Sequence, residues 1–274
     1  MKKTNISLII LSILIFFSCK DNDVAKIPPV ISKQSSQDYL LAEKMFCEVG
    51  RIIEEGMNVN DVFKGVIYYL QNSNPINPDT LNIDFGISTI LNGNDYKGEI
   101  EIIFTGNYSD SGTVITSTFP QNNPFHINNY QILGNRKVTN LGENTEGYIE
   151  FLIEIIDGEI KAPTPGGVIN WDATRTRKWI YGFNTPELTD DKYLIYGNSV
   201  GIDMTNNIFD VTNSQPILLD YECILNGAEC FLISGEANVA PEGLSEQVIN
   251  YGDSICNCNF IVTIEGNNYP IYLD

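Results

Sequence analysis

The sequence contains one histidine, two tryptophans and only 16 lysines and arginines, and these shortages exclude several classes of function. It has no Walker A loop and no GxGxxG phosphate motif, so it offers no recognisable nucleotide site. His126 is the one imidazole available as a base. It stands in a turn entering a strand, where a hydrogen-bonded structural role is expected. No catalytic residue and no cofactor are predicted.

The few basic residues are outnumbered by 35 aspartates and glutamates, which gives a formal net charge of −19. Residues 1–18 contain two lysines and no acid, so the chain without them is more acidic still. Such a chain is repelled by nucleic-acid phosphates, and nucleic acid is not an expected partner. Two of the many carboxylates can serve glycoside hydrolysis, so a carboxylate-dependent hydrolase stays open as an alternative.

Patterns for metal binding are incomplete. Cys256 and Cys258 are separated by a single residue, which is not the CxxC spacing of structural zinc sites. Residues 203–207 begin like a calcium loop, but Ile208 occupies the position of the required glycine. No metal site is predicted, and calcium held by assembled loops is the alternative to ordinary turn chemistry.

The N-terminus has the layout of an exported lipoprotein. Two lysines precede an apolar stretch of roughly a dozen residues, typical of a secretory signal in residues 1–18. This stretch is shorter than the ~20 residues that span a bilayer. Cys19 follows the small residue Ser18, as in a lipobox, so we expect cleavage before Cys19, diacylglycerol on its thiol, and the lipid bilayer as a partner.

A short acidic cluster follows the lipidation site. It resembles the surface-export signal of Bacteroidota lipoproteins and consists of Lys20, Asp21, Asn22 and Asp23. The expected location is therefore the outer face of the outer membrane, with the periplasmic face as the alternative.

The rest of the chain divides into three segments. Residues 19–36 are polar and rich in serine and proline, as expected of a tether. Residues 37–78 carry apolar side chains at helical spacing and predict a helical hairpin, with one helix ending at Gly56 and a second reaching Leu70. Residues 79–274 form the β domain.

In residues 79–274 the hydrophobic period changes to two, as in the run from Ile149 to Ile155. Turn-forming pairs such as Asn92-Gly93, Asp157-Gly158 and Gly266-Asn267 separate the runs and favour hairpins. No long helical pattern interrupts them, so parallel crossovers are not expected. The predicted fold is mainly β, an antiparallel meander of about ten or more strands with a short N-terminal helical region. A twisted sheet, a sandwich and a half-barrel all fit this pattern.

Both tryptophans and two arginines fall on one face of a predicted strand. Alternate residues of a strand point to the same side, which brings Trp171, Arg175, Arg177 and Trp179 together. Such a face can bind a glycan or an acidic ligand, because indoles stack on sugar rings and arginine binds carboxylates. We expect instead a structural ladder, with the arginines paired to glutamates of a neighbouring strand. The candidate partners are Glu146, Glu150 and Glu154.

Residues 80–274 contain a set of several short sequence motifs. They are Ile83–Gly86, Lys97–Ile100, Thr105–Tyr108, Lys137–Asn140, Trp171–Trp179, Cys230–Gly235 and Tyr251–Asp253. As a set they resemble a family of uncharacterised lipoproteins common in Flavobacteriia and related Bacteroidota. The resemblance implies an all-β exported domain and a disulfide between Cys230 and Cys256, while this chain has Ser254 where a glycine is usual.

Two further cysteines, Cys223 and Cys258, are additions to that pattern and are expected as a possible second bridge nearby. Disulfides are stable in an exported protein because the compartment is oxidising. Cys47, in the helical segment, is then left as a buried free thiol.

The predicted function is that of a non-enzymatic, membrane-anchored lipoprotein of the cell envelope, acting as a structural or binding module. A surface glycan-binding protein is the first alternative, followed by the carboxylate-dependent hydrolase. A lipid carrier would require a half-barrel with an open apolar face. Outer-membrane proteins and glycans are the partners considered beyond the bilayer.

Overall fold

The computed structural model describes residues 31–57, 66–71, 78–225, 227–228 and 230–273. The predicted signal peptide, the lipidation site Cys19 and the export cluster of residues 20–23 lie outside the described residues. Neither helix of the described part is long and apolar enough to cross a membrane.

A long helix, α1, precedes an antiparallel sheet with sixteen strands in the described chain. The helices are α1 Gln34–Met57 and α2 Glu222–Leu225. The strands are β1 Ile67–Gln71, β2 Asp79–Asp84, β3 Thr89–Leu91, β4 Asn94–Lys97, β5 Glu99–Phe104, β6 Val114–Thr118, β7 His126–Ile127, β8 Tyr130–Glu143, β9 Ile149–Lys161, β10 Val168–Tyr181, β11 Lys192–Ile202, β12 Ile208–Asp220, β13 Leu232–Pro241, β14 Gln247–Asp253, β15 Phe260–Ile264 and β16 Asn267–Ile271.

Strand order follows the chain. The main path runs β1-β2-β5-β6 and then from β8 to β16 without a change of order, while β3, β4 and β7 form a short side branch. All pairings are antiparallel, as expected when hairpins make the connections. The predicted mainly β antiparallel meander with an N-terminal helical region is confirmed.

The sheet curls around α1. Side chains of the helix reach strands far apart along the path: Ser36 donates to Gln247 of β14 at 2.5 Å, and Glu48 accepts from Tyr96 of β4. The core lies between them, and Val49 and Ile52 of α1 are fully buried. The apolar concave face is therefore occupied by the chain's own helix, and it lacks the open face that a lipid carrier would require.

The second predicted helix is wrong over Ile67–Gln71, which form β1 and pair with β2. This run is rich in aromatic and β-branched residues, which favour strands, and its helical spacing covers too few residues to decide between the two structures. The earlier part of that predicted helix, residues 58–65, lies outside the described residues.

Two of the predicted hairpin turns are present, and a third is a bulge. Asn92-Gly93 joins β3 to β4 and Gly266 lies in the β15–β16 turn, each with positive φ. Asp157-Gly158 instead lies inside β9, where Asp157 has φ 52° and the register with β10 shifts. At Gly134 of β8 an added Cβ would meet the carbonyl oxygen of Asp157 at 2.5 Å, so this close approach requires glycine.

The two disulfides use the four predicted cysteines in a different pairing. Cys223 bonds to Cys256 and Cys230 bonds to Cys258, with Cα–Cα distances of 5.3 and 5.5 Å. The predicted Cys230–Cys256 bridge is wrong. Cys256 and Cys258 are two residues apart at the entry to β15, so either one lies near both partners, and spacing in the sequence cannot choose between them. Cys47 is a free thiol and is part-buried.

Candidate functional site

The predicted tryptophan and arginine face exists, but it points inward. Along β10 alternate residues are buried, and Trp171, Arg175, Arg177 and Trp179 are between 2% and 7% exposed. Helix α1 covers them. The face is therefore part of the interior and not an exposed platform for a glycan or an acidic ligand.

The partners predicted for the two arginines are wrong. Arg175 donates to Glu43 at 2.8 Å and Arg177 to Glu54 at 2.6 Å, and both acids belong to α1. In the sheet, Arg175 lies opposite Ile153 of β9. The inward positions of β9 are apolar and its glutamates point outward, so β9 offers Arg175 and Arg177 no carboxylate on this side of the sheet.

The predicted glutamates pair on the outer face instead. Glu146 accepts from Lys178 at 2.6 Å and Glu154 from Lys137 at 2.9 Å. Glu150 accepts from Tyr196 at 3.4 Å. These contacts form a half-exposed ladder across β8 to β11, of the kind predicted but built from lysines.

A second buried charge cluster lies within α1 itself. Arg51 contacts Glu48 and Glu55, each at 2.5 Å. Glu48 also accepts from the hydroxyl of Tyr96 in β4. Attraction to Arg51 offsets the effect of burial and leaves the pKa of the Glu48 carboxyl below its ordinary value. The charges of Arg51, Glu48 and Glu55 are thus paired within the helix, as buried charges require.

An open pocket lies beside the C-terminal end of α1 and is the candidate ligand site. Its volume is about 290 Å³. Aromatic walls come from Phe104, Tyr108, Trp179 and Phe183. Polar groups come from the carboxyls Glu54 and Asp191 and from Asn107, Ser109 and Thr185. Trp179 is the member of the predicted face that reaches this pocket.

Asp191 is the most perturbed acid of the pocket. Burial, together with the negative charge of Glu54, raises the pKa of Asp191 to about 7. The opposing contributions are hydrogen bonds from Tyr193 and from the Trp179 indole, each 3.0 Å long. The carboxyl therefore changes charge near neutral pH and fixes the indole that forms the pocket wall.

Glu54 connects the pocket to the interior. Its Oε1 accepts from Arg177 and, at 3.2 Å, from the hydroxyl of Tyr108. Its Oε2 is buried and has no hydrogen-bond partner among the described residues. A ligand in the pocket would thus contact two carboxyl groups. Glu54 is already paired with an arginine, and Asp191 already accepts hydrogen bonds from an indole and a phenol.

The remaining predicted positions have structural roles. Nδ1 of His126 lies 2.8 Å from the carbonyl oxygen of Pro124 and donates to it. Asp203 accepts from the backbone of Thr205 and Asn207 and from the hydroxyl of Ser35, which is turn chemistry. No group of three histidines, cysteines or acids is arranged for a metal within the described ranges.

Sequence reasoning missed Glu43, Glu54 and Asp191. A signal for the first two exists: Tyr39, Glu43, Phe46, Gly50 and Glu54 follow one another at steps of three or four residues and share one stripe of α1. Two acids in an apolar stripe indicate buried partners. Asp191, in a loop after a 3₁₀ turn at Leu188–Asp190, has no comparable signal.

In comparisons with known proteins, no family model, curated protein or solved structure matches this chain.

Proposed function

We propose that this chain is a lipoprotein of the cell envelope, anchored by lipid on Cys19, and that its β domain is a non-enzymatic binding module. The N-terminal signal layout supports the anchor, and the resemblance to Bacteroidota lipoproteins and the acidic cluster after Cys19 support the outer face of the outer membrane. The open aromatic pocket beside α1 is the observation that carries the binding role.

Cys19→Ala tests the anchor. Radiolabelled palmitate should label the unaltered protein and Cys47→Ala, which removes the other unpaired cysteine, but not Cys19→Ala. Label retained in Cys19→Ala would refute lipidation at this residue. Protease added to intact cells then separates the two membrane faces, since only an outward-facing domain is cut.

The lining of the pocket favours a neutral or amino sugar as the ligand. Phe183 is exposed and Tyr108 is half-buried, so both offer aromatic surface against which a sugar ring can pack, and nearby carboxyl, amide and hydroxyl groups can bind hydroxyls. About 290 Å³ is at the lower end of ordinary ligand pockets and suits a mono- or disaccharide. An acidic ligand is disfavoured because Arg177 is already paired with Glu54.

Phe183→Ala tests this assignment, with Tyr181→Ala as its matched control. Phe183 and Tyr181 are both exposed aromatics, 40% and 58%, but only Phe183 lines the pocket. On an array of neutral and amino sugars, Phe183→Ala should lower affinity by about tenfold, the value of one lost aromatic contact. Equal loss in both variants, or no binding by the unaltered protein, would contradict the proposal.

A carboxylate-dependent hydrolase is the second candidate, because Asp191 and Glu54 lie in one pocket and the pKa of Asp191 is raised to about 7. A glycosidase uses one such protonated acid beside a second carboxylate. Release of reducing sugar from a bound oligosaccharide, abolished by Asp191→Asn, would favour this candidate over simple binding.

A further inference from the structure

A small cavity lies between α1 and the centre of the sheet, separate from the aromatic pocket. Its volume is about 20 Å³. A space of that size admits one water molecule or one monatomic ion, but no sulfate or larger anion. Its polar lining comes from Glu43, Arg136, Trp171, Arg175 and Arg177.

The residues that line the cavity carry hydrogen-bond donors that lack acceptors in the described part of the chain. Four buried N–H groups on its lining residues have no partner within the described part of the chain: Nε and Nη1 of Arg175, Nε of Arg177 and Nε1 of Trp171. Buried donors in native proteins are nearly always paired. Four of them on one small cavity therefore indicate an occupant that accepts hydrogen bonds.

The charge around the cavity is also unbalanced. Arg175 pairs with Glu43 and Arg177 with Glu54, whereas Arg136 forms no ion pair among the described residues. Arg136 is 3% exposed, and its guanidinium approaches α1 so closely that a Cβ at Gly50 would lie 2.6 Å from it. The three arginines that line the cavity thus exceed Glu43 and Glu54 by one positive charge.

The occupant that satisfies both conditions is an anion. Water would also accept, but it must donate two protons in return, and the one carboxylate of the lining, Glu43, already accepts from Arg175 and Cys47. Water would also leave the excess charge uncompensated, and a buried cation is unfavourable without a counter-charge. We propose that this cavity holds a monovalent monatomic anion, chloride or bromide, which balances the third arginine of the lining.

Thermal unfolding of the full chain at constant pH and ionic strength tests the proposal. Sodium chloride and sodium bromide should raise the melting temperature above that in sodium gluconate, whose anion is too large for the cavity. A saturable rise of about 2–4 °C is expected once the halide is several times its dissociation constant. Equal melting temperatures in all three salts would overturn the proposal.

Arg136→Met is the diagnostic variant, because it removes the excess charge and keeps the bulk. Its melting temperature should no longer depend on halide. Lys161→Met, which removes a half-exposed cation of an outer-face pair, is the control and should keep the dependence. Halide dependence unchanged in Arg136→Met would contradict the assignment.

A second measurement remains valid if Arg136→Met fails to fold. Crystals of the unaltered protein grown in sodium bromide should show an anomalous peak within hydrogen-bonding distance of the side-chain nitrogens of Trp171, Arg175 and Arg177. A cavity that is empty, or that contains density without anomalous signal, would refute the anion.

Discussion

At the scale of single residues, this acidic protein places arginines where few proteins place charge. Arg136, Arg175 and Arg177 are each at most 3% exposed. Arg177 also lies over the ring of Tyr193, with the guanidinium carbon 4.3 Å from the ring centre. Aromatic faces and helix carboxylates thus replace the water that these side chains have lost.

The raised pKa of Asp191 predicts how the stability of the folded protein depends on pH. Its pKa is raised to about 7 in the folded protein, against ~3.9 in an unfolded chain. Between these values the folded state holds a proton that the unfolded state has released, so stability falls as pH rises from about 4 to about 7. Asp191→Asn should flatten this fall, by up to about 4 kcal/mol in all and by about 3 kcal/mol between pH 5 and pH 8. Urea unfolding at pH 5 and pH 8 measures the effect.

Asp210→Asn, which changes an exposed carboxyl on β12, is the control and should leave the pH dependence as it is. Some slope should persist in Asp191→Asn, because burial also raises the pKa of Asp38 to about 6. A slope equal to that of the unaltered protein would show that Asp191 is ionised throughout this range.

At the scale of elements, α1 is fixed to β10 by the Glu43–Arg175 pair. Removing one partner leaves the other charge buried, which costs about 3–5 kcal/mol, while replacing both by apolar residues costs much less. We therefore expect Glu43→Leu and Arg175→Met each to be strongly destabilising, and the double variant to recover most of the loss. A double-mutant cycle in urea gives the coupling energy.

The matched comparison is the outer-face pair Lys178–Glu146, in which the Glu146 side chain is 62% exposed. A cycle on this pair should give only about 0–1 kcal/mol. Similar coupling energies for the two pairs would mean that the α1–β10 contact is far more accessible to water than the burial of its side chains indicates.

The periodicity of β10 predicted which of its side chains share a face, because a strand alternates strictly. It did not predict what covers that face, because the odd or even position of a residue along a strand carries no information about the element that packs against it. The predicted partners of Arg175 and Arg177 therefore lay on or beside the neighbouring strand β9, whereas the actual partners are acids of α1. The same limit applies to the disulfides, where Cys256 and Cys258 are interchangeable by spacing.

At the scale of the whole molecule, the β domain is an open chain of hairpins that curls around a helix. Each of the long strands β8 to β12 pairs with its neighbours in sequence, so most of the sheet is local. The two disulfides join positions 33 and 28 residues apart and tie the segment around α2 to the start of β15. Helix α1 is the element whose contacts are not local.

The long sequence separation between α1 and its partners in the sheet affects the order of folding. Glu43 and Glu54 lie 132 and 123 residues before the arginines that pair with them. Because α1 precedes the sheet in the chain, it is synthesised before most of the sheet that will enclose it, so its apolar stripe and its acids first remain in water. Loop closure over such distances waits for the intervening hairpins to form. We therefore expect α1 to dock last: in pulsed hydrogen exchange during refolding, the amides of β8 to β10 should gain protection before those of α1, and simultaneous protection would contradict this order.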